Sequence, residues 1–108
     1  MNKNIKNTGI NDLYTKIKLL PQDPGIYKFL DESGKILYIG KATNLRSRVS
    51  SYFSSTLYDR PRIKQMIPYV KDVSITETNN EIESLVLESA LIKKYKPFYN
   101  SDKKDDKS

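Results

Sequence analysis

Pro24-Gly25-Ile26-Tyr27-Lys28-Phe29-Leu30, then Asp31-Glu32-Ser33-Gly34, then Ile36-Leu37-Tyr38-Ile39-Gly40-Lys41-Ala42 is the stretch whose reading decides the fold. Pro24-Gly25 opens a segment in which apolar and polar residues alternate from Ile26 to Leu30, the period of a half-buried strand. Asp31 to Gly34 carries the residues of a tight turn, and Ile36 to Ile39 alternates again as the partner strand. Tyr38 stands eleven positions after Tyr27, and Gly40-Lys41 follows at once.

Outward from this hairpin, Thr43 or Asn44 caps a helix running to about Phe53, with Leu45, Val49, Tyr52 and Phe53 on one face. Residues 54–59 read as a loop. Pro61 suits the first turn of a second helix that ends near Pro68. Val73 to Thr76 alternates as a third strand. Asn80-Glu81-Ile82-Glu83 reads as a cap with a returning glutamate, opening a helix through Lys94 that Pro97 stops. Ahead of the hairpin, Asp12 to Leu20 has a short amphipathic helical pattern halted by Pro21. The expected architecture is therefore α/β, a small central three-stranded, mainly antiparallel sheet flanked by helices. Residues 1–11 read as a flexible lead-in, 12–100 as one domain, and 101–108 as a charged tail.

A chain of 108 residues supports one domain with a modest core. It has no cysteine, which excludes disulfides and thiolate chemistry and suits a reducing cytoplasm. No stretch is long and apolar enough to span a bilayer, and no membrane role is expected. It has no histidine either, so acid–base chemistry falls to carboxylates, lysines, tyrosines or metal-bound water. The net charge is +6, but between Ser33 and Lys71 eight cations face the single acid Asp59, a local charge of +7. That segment is interleaved with tyrosines and points to a polyanion, most simply nucleic acid. Lys41, Arg46, Arg48, Tyr52, Arg60, Arg62 and Lys64 are its expected DNA contacts. A solvated basic face is the alternative.

The ordered set Gly25-Ile26-Tyr27, Tyr38-Ile39-Gly40-Lys41-Ala42, Arg48-Val49, Tyr52-Phe53, Leu85-Val86-Leu87-Glu88 and Leu91 through Asn100 resembles the GIY-YIG nucleases, in the wording of their UvrC-type branch. The resemblance covers roughly residues 12 to 108. It implies the same three-stranded architecture and a single-metal DNA endonuclease. It also implies a metal-binding role for Glu88, with Tyr38 as general base, Tyr27 supporting it by hydrogen bonding, and Asn100 orienting the site.

The residues themselves bear on each role. Glu88 has Leu85, Leu91 and Ile92 on its side of the helix, and a carboxylate in an apolar arc is costly to bury unless paired or bound to a cation. A salt bridge to a nearby cation is the structural alternative. One carboxylate without His or Cys suits Mg²⁺ or Mn²⁺ better than zinc, and argues against a two-metal site. Tyr27 and Tyr38 are ordinary strand residues by propensity. A phenol titrates near 10 and is a poor base unless cations stabilise its phenolate, for which Lys41 and a metal ion are candidates. Gly40 reads as the turn from strand to helix, and Arg48 as a guanidinium able to grip a phosphate.

The function so expected is metal-dependent DNA hydrolysis by in-line water attack, making the 3′ incision beside a lesion in bacterial nucleotide excision repair. A UvrB-type helicase would be the partner of the full-length protein, and the isolated domain is expected to be monomeric. The tail resembles the start of a segment leading to further domains. A stand-alone structure-specific nuclease and a non-catalytic nucleic-acid-binding module are the competing readings.

Overall fold

The computed structural model describes residues 10–54 and 60–100. Residues 55–59 of the loop expected at 54–59, the tail at 101–108 and the first nine residues of the lead-in lie outside the described residues. Helix α1 begins at Ile10, two residues ahead of the expected boundary, and spans Ile10–Lys18. It is followed by β1 (Gly25–Leu30), β2 (Ile36–Ala42), α2 (Leu45–Ser51) and α3 (Pro61–Met66). A 3₁₀ turn (Ile67–Tyr69), β3 (Asp72–Glu77), α4 (Glu81–Tyr95) and a terminal 3₁₀ turn (Phe98–Asn100) complete the order.

The sheet is antiparallel throughout, in the order β2-β1-β3. The hairpin closes as its residues demand. Asp31 Oδ1 accepts hydrogen bonds from the backbone N–H groups of Ser33 and Lys35, both at 2.9 Å, and Gly34 takes the left-handed φ of 86° that the turn requires. A register shift between Phe29 and Leu30 absorbs the extra residue. Asn44 caps α2 by accepting from the Ser47 N–H at 3.0 Å, and Asn80 caps α4 by accepting from Glu83 N–H at 2.8 Å. The returning Glu83 carboxylate reaches Asn79 N–H at 2.6 Å, one residue before the cap. Lys96, with φ 44°, gives α4 a left-handed end ahead of Pro97.

Strand alternation sorts the side chains. Tyr27, Phe29 and Tyr38 share one face with Val73, covered by Leu13 and Ile17 of α1, Leu45 and Val49 of α2, and Ile63 and Met66 of α3. Ile26 and Ile39, fully buried, point the other way. Helix α4 packs on β2 and β1 but contributes nothing to the first cluster. Its apolar residues run round the whole helix, so Ile82, Leu85 and Val86 stay exposed, and the buried side chain is Ser84, hydrogen-bonded to Thr78. The apolar arc expected around Glu88 is therefore only half-buried.

Candidate active site

Three tyrosines meet on the α2 side of the sheet. Tyr27 comes from β1 and Tyr38 from β2, diagonal neighbours on the same face; Tyr52 arrives from the C-cap of α2. The Tyr27 and Tyr52 hydroxyls lie 2.6 Å apart, and the Tyr38 ring sits 6.4 Å from Tyr27 and 6.2 Å from Tyr52. Phe29 closes the cluster, with the Tyr52 ring edge-on at 5.0 Å. Exposures of 1%, 7% and 2% for Tyr27, Tyr38 and Tyr52 leave Tyr38 the most open of three nearly enclosed side chains.

Tyr52 was expected to contact DNA. Its ring is instead part of the core and its hydroxyl is committed to Tyr27, so that assignment is corrected. The cause is legible: Leu45, Val49 and Tyr52 form one stripe, and both aliphatic residues of it are fully buried.

Two guanidinium groups border the cluster. Arg48 lies 5.2 Å and Arg60 5.9 Å from the Tyr52 ring centroid. Burial pushes the Tyr27 phenol well above its ordinary value, reinforced by Tyr52 and Tyr38, and a hydrogen bond with Arg48 opposes the rise. Burial also pushes Tyr38 up to about 12, with Tyr52 reinforcing it and Arg60 acting against it. A group at that value is phenolate in only about 10⁻⁵ of molecules at pH 7.

Lys41 was the cation expected beside Tyr38. It sits an odd number of positions along β2, so alternation sends its exposed side chain to the opposite side, and Arg60 takes its place. Gly40 is likewise not a strand-to-helix turn. It lies inside β2, paired with Tyr27, where a Cβ would overlap the Tyr27 hydroxyl and ring. Glycine is required there so that the tyrosine can lie across the neighbouring strand.

Asn100 is buried and grips β2 from its outer edge. Its Oδ1 accepts from Ile39 N–H at 2.9 Å while its Nδ2 donates to Ile39 C=O at 3.0 Å. It therefore holds the residue between Tyr38 and Gly40, by a contact sixty-one positions apart in sequence. Glu88 is half-buried on α4 and makes no ion pair among the described residues, so the salt-bridge alternative is not realised there. Among those residues no three His, Cys, Asp or Glu side chains gather. A lone carboxylate of this kind fits a hydrated, oxygen-seeking cation and not a fully protein-ligated one.

Of the remaining expected DNA contacts, Lys41, Arg48 and Lys64 are exposed. Arg46 donates from Nε to Leu20 C=O at 2.8 Å, tying α2 to the end of α1, and Arg62 donates to Phe98 C=O at 3.3 Å. No helix among the described residues is long and apolar enough to cross a membrane.

Residues 23–101 match the family described as the UvrC-like GIY-YIG domain. The chain is similar to UvrABC system protein C of Caldanaerobacter subterraneus subsp. tengcongensis, 50% identical over 97 residues that make up 90% of this chain and 16% of that protein. It is 51% identical over 89 residues to the same protein of Methanospirillum hungatei, covering 82% of this chain and 17% of that one. The chain thus spans about a sixth of the length of these relatives. Among solved structures it resembles the GIY-YIG N-terminal endonuclease domain of UvrC from Thermotoga maritima bound to its catalytic divalent cation, magnesium. The TM-score is 0.72 at 34% identity, covering 82% of this chain and 94% of that one. Variants of that domain with a tyrosine changed to phenylalanine or an asparagine to alanine also hold the divalent cation, with the same TM-score. On the sequence and fold together, this chain belongs to the UvrC-like GIY-YIG domain family.

Proposed function

We propose that this domain is a divalent-metal-dependent DNA endonuclease that makes the 3′ incision beside a lesion in nucleotide excision repair, working within a longer UvrC-type protein and with a UvrB-type helicase. The observation that carries the reading is the cluster of Tyr27, Tyr38 and Tyr52 bordered by Arg48 and Arg60, in a family whose solved Thermotoga maritima domain holds a catalytic divalent cation. The basic segment from Lys35 to Lys71 supports a DNA substrate.

Tyr38 Oη is the proposed acceptor of the proton from the attacking water. The water oxygen bonds to phosphorus in line with the scissile P–O bond, and the electron pair leaves on the 3′ oxygen. Since burial holds Tyr38 up to about 12, it must first give up its own proton and be held as phenolate by positive charge nearby before it can accept the water's proton. Arg60 supplies part of that charge. Arg48 steadies Tyr27 and offers its exposed guanidinium to a phosphate oxygen. Glu88 is the proposed holder of a single Mg²⁺ or Mn²⁺, which when bound supplies Lewis-acid stabilisation of developing negative charge.

The test is incision of lesion-containing duplex by a full-length UvrC-type protein carrying this domain, with its UvrB-type partner and either metal. Cutting 3′ of the lesion that stops on chelation supports the proposal; metal-independent cutting, or DNA binding with no cutting at all, sinks it.

A further inference from the structure

We propose that Arg62 is a positioning residue: it latches the turn bearing Asn100 onto α3 and so fixes strand β2 beside Tyr38. On sequence it was one cation of a basic run and an expected DNA contact. Its guanidinium is engaged inward instead. Nη2 donates to Phe98 C=O at 3.3 Å, and the planar group lies 4.9 Å from the Phe98 ring centroid and 5.4 Å from that of Tyr99. Those two rings pack edge-on at 4.9 Å, so one side chain spans both residues ahead of Asn100.

The latch adds to what already seats the turn, since Pro97 is buried and Tyr99 is half-buried against the core. The left-handed Lys96 ends α4, and Asn100 N–H closes a single backbone bond to Pro97 C=O at 3.1 Å. From that turn Asn100 delivers two buried hydrogen bonds to Ile39, whose neighbours Tyr38 and Gly40 point into the tyrosine cluster. The path from Arg62 to the Phe98–Tyr99 turn, to Asn100 and then to Ile39 consists wholly of direct contacts. Arginine suits the post better than lysine, because a planar group stacks on two rings while still donating to a carbonyl.

Only the activity arm of the test rests on the nuclease reading. Arg62→Met, which keeps the aliphatic stem, and Arg62→Lys are compared with the parent in three measurements. Amide exchange of Ile39 in the 108-residue chain reads the clamp. In Arg62→Met that amide should exchange about tenfold faster or more, a loss of about 1.4 kcal/mol of local protection. The salt dependence of duplex binding should keep its slope, because no phosphate contact is lost. Incision in the full-length context should fall on the order of tenfold in kcat at unchanged KM, with Arg62→Lys between the two. A slope shallower by about 0.9 with Ile39 protection unchanged would make Arg62 a DNA contact and overturn the latch. If the parent itself cuts nothing, the nuclease reading fails while the exchange arm still decides the latch. If Arg62→Met does not fold, Arg62→Lys carries the same comparison.

Discussion

Tyr27 and Tyr52 face each other hydroxyl to hydroxyl at 2.6 Å across twenty-five residues of sequence, one on the central strand and the other at the end of the helix that covers it. Tyr52→Phe removes one oxygen and keeps the ring in the core. The Tyr27 hydroxyl then loses a buried partner, at a cost of about 1–2 kcal/mol. The melting temperature should fall by roughly 5–10 °C, and Tyr27 should titrate earlier because Tyr52 is among the groups raising it. An unchanged melting curve together with an unchanged tyrosinate titration would show that the contact carries no weight.

Alkaline stability tests the cluster as a whole. The folded values of Tyr38 and Tyr27 both lie above the ordinary value near 10, so the unfolded chain releases these protons first. Their contribution is complete below pH 10; that of Tyr38 is lost as pH rises through about 12, while that of Tyr27, raised further, keeps declining beyond it. Urea midpoints should therefore decline between pH 10 and 12, and Tyr38→Phe should flatten part of that decline. A parent midpoint independent of pH across this window contradicts the assignment. In incision assays the same variant should lose on the order of 10²–10⁴ in rate.

Glu88→Gln isolates the proposed metal role from any structural one. With no ion pair at Glu88 among the described residues, the melting temperature should move by no more than about 1–2 °C. Calorimetric binding of Mg²⁺ or Mn²⁺ and incision should both disappear while duplex affinity stays. A large drop in melting temperature with metal binding intact would return Glu88 to a structural role.

Gly40→Ala tests the fit of Tyr27 across β2. The added methyl meets the Tyr27 ring and hydroxyl, and overpacking of this kind costs about 1–3 kcal/mol. Loss of activity should exceed the loss of stability, because the ring that moves is in the cluster. A variant as stable and as active as the parent would mean the ring yields without cost.

Much of this fold was legible because its signals are local. The hairpin followed from Asp31 and Gly34, and the helix starts from Asn44 and Asn80, each acting within four residues of itself. The stripe of Leu45, Val49 and Tyr52 already placed Tyr52 toward the core, and weighing it above the basic run would have removed Tyr52 from the DNA contacts. Gly40 was harder, because the ring it accommodates belongs to another strand. The roles of Arg60, Arg62 and Asn100 depend on partners far away in sequence, and nothing in a charge count separates a guanidinium that stacks on a turn from one that faces solvent. Around Glu88 the apolar pattern was a weak guide because the apolar residues of α4 are spread round the helix, and only the side bearing Ser84, with Leu87, Leu91 and Ile92 half-buried, turns toward the sheet.

The Asn100 clamp has a bearing on solubility as well as on the placing of the tyrosine strand. Strand β2 is an outer strand, and such a strand offers unpaired backbone donors and acceptors to any passing peptide. At Ile39 the asparagine amide answers both groups, so it behaves as a one-residue counterfeit of a fourth strand. A foreign chain cannot zip onto that edge without first evicting the amide. The side chain that steadies the tyrosine strand therefore also guards it against edge-to-edge self-association.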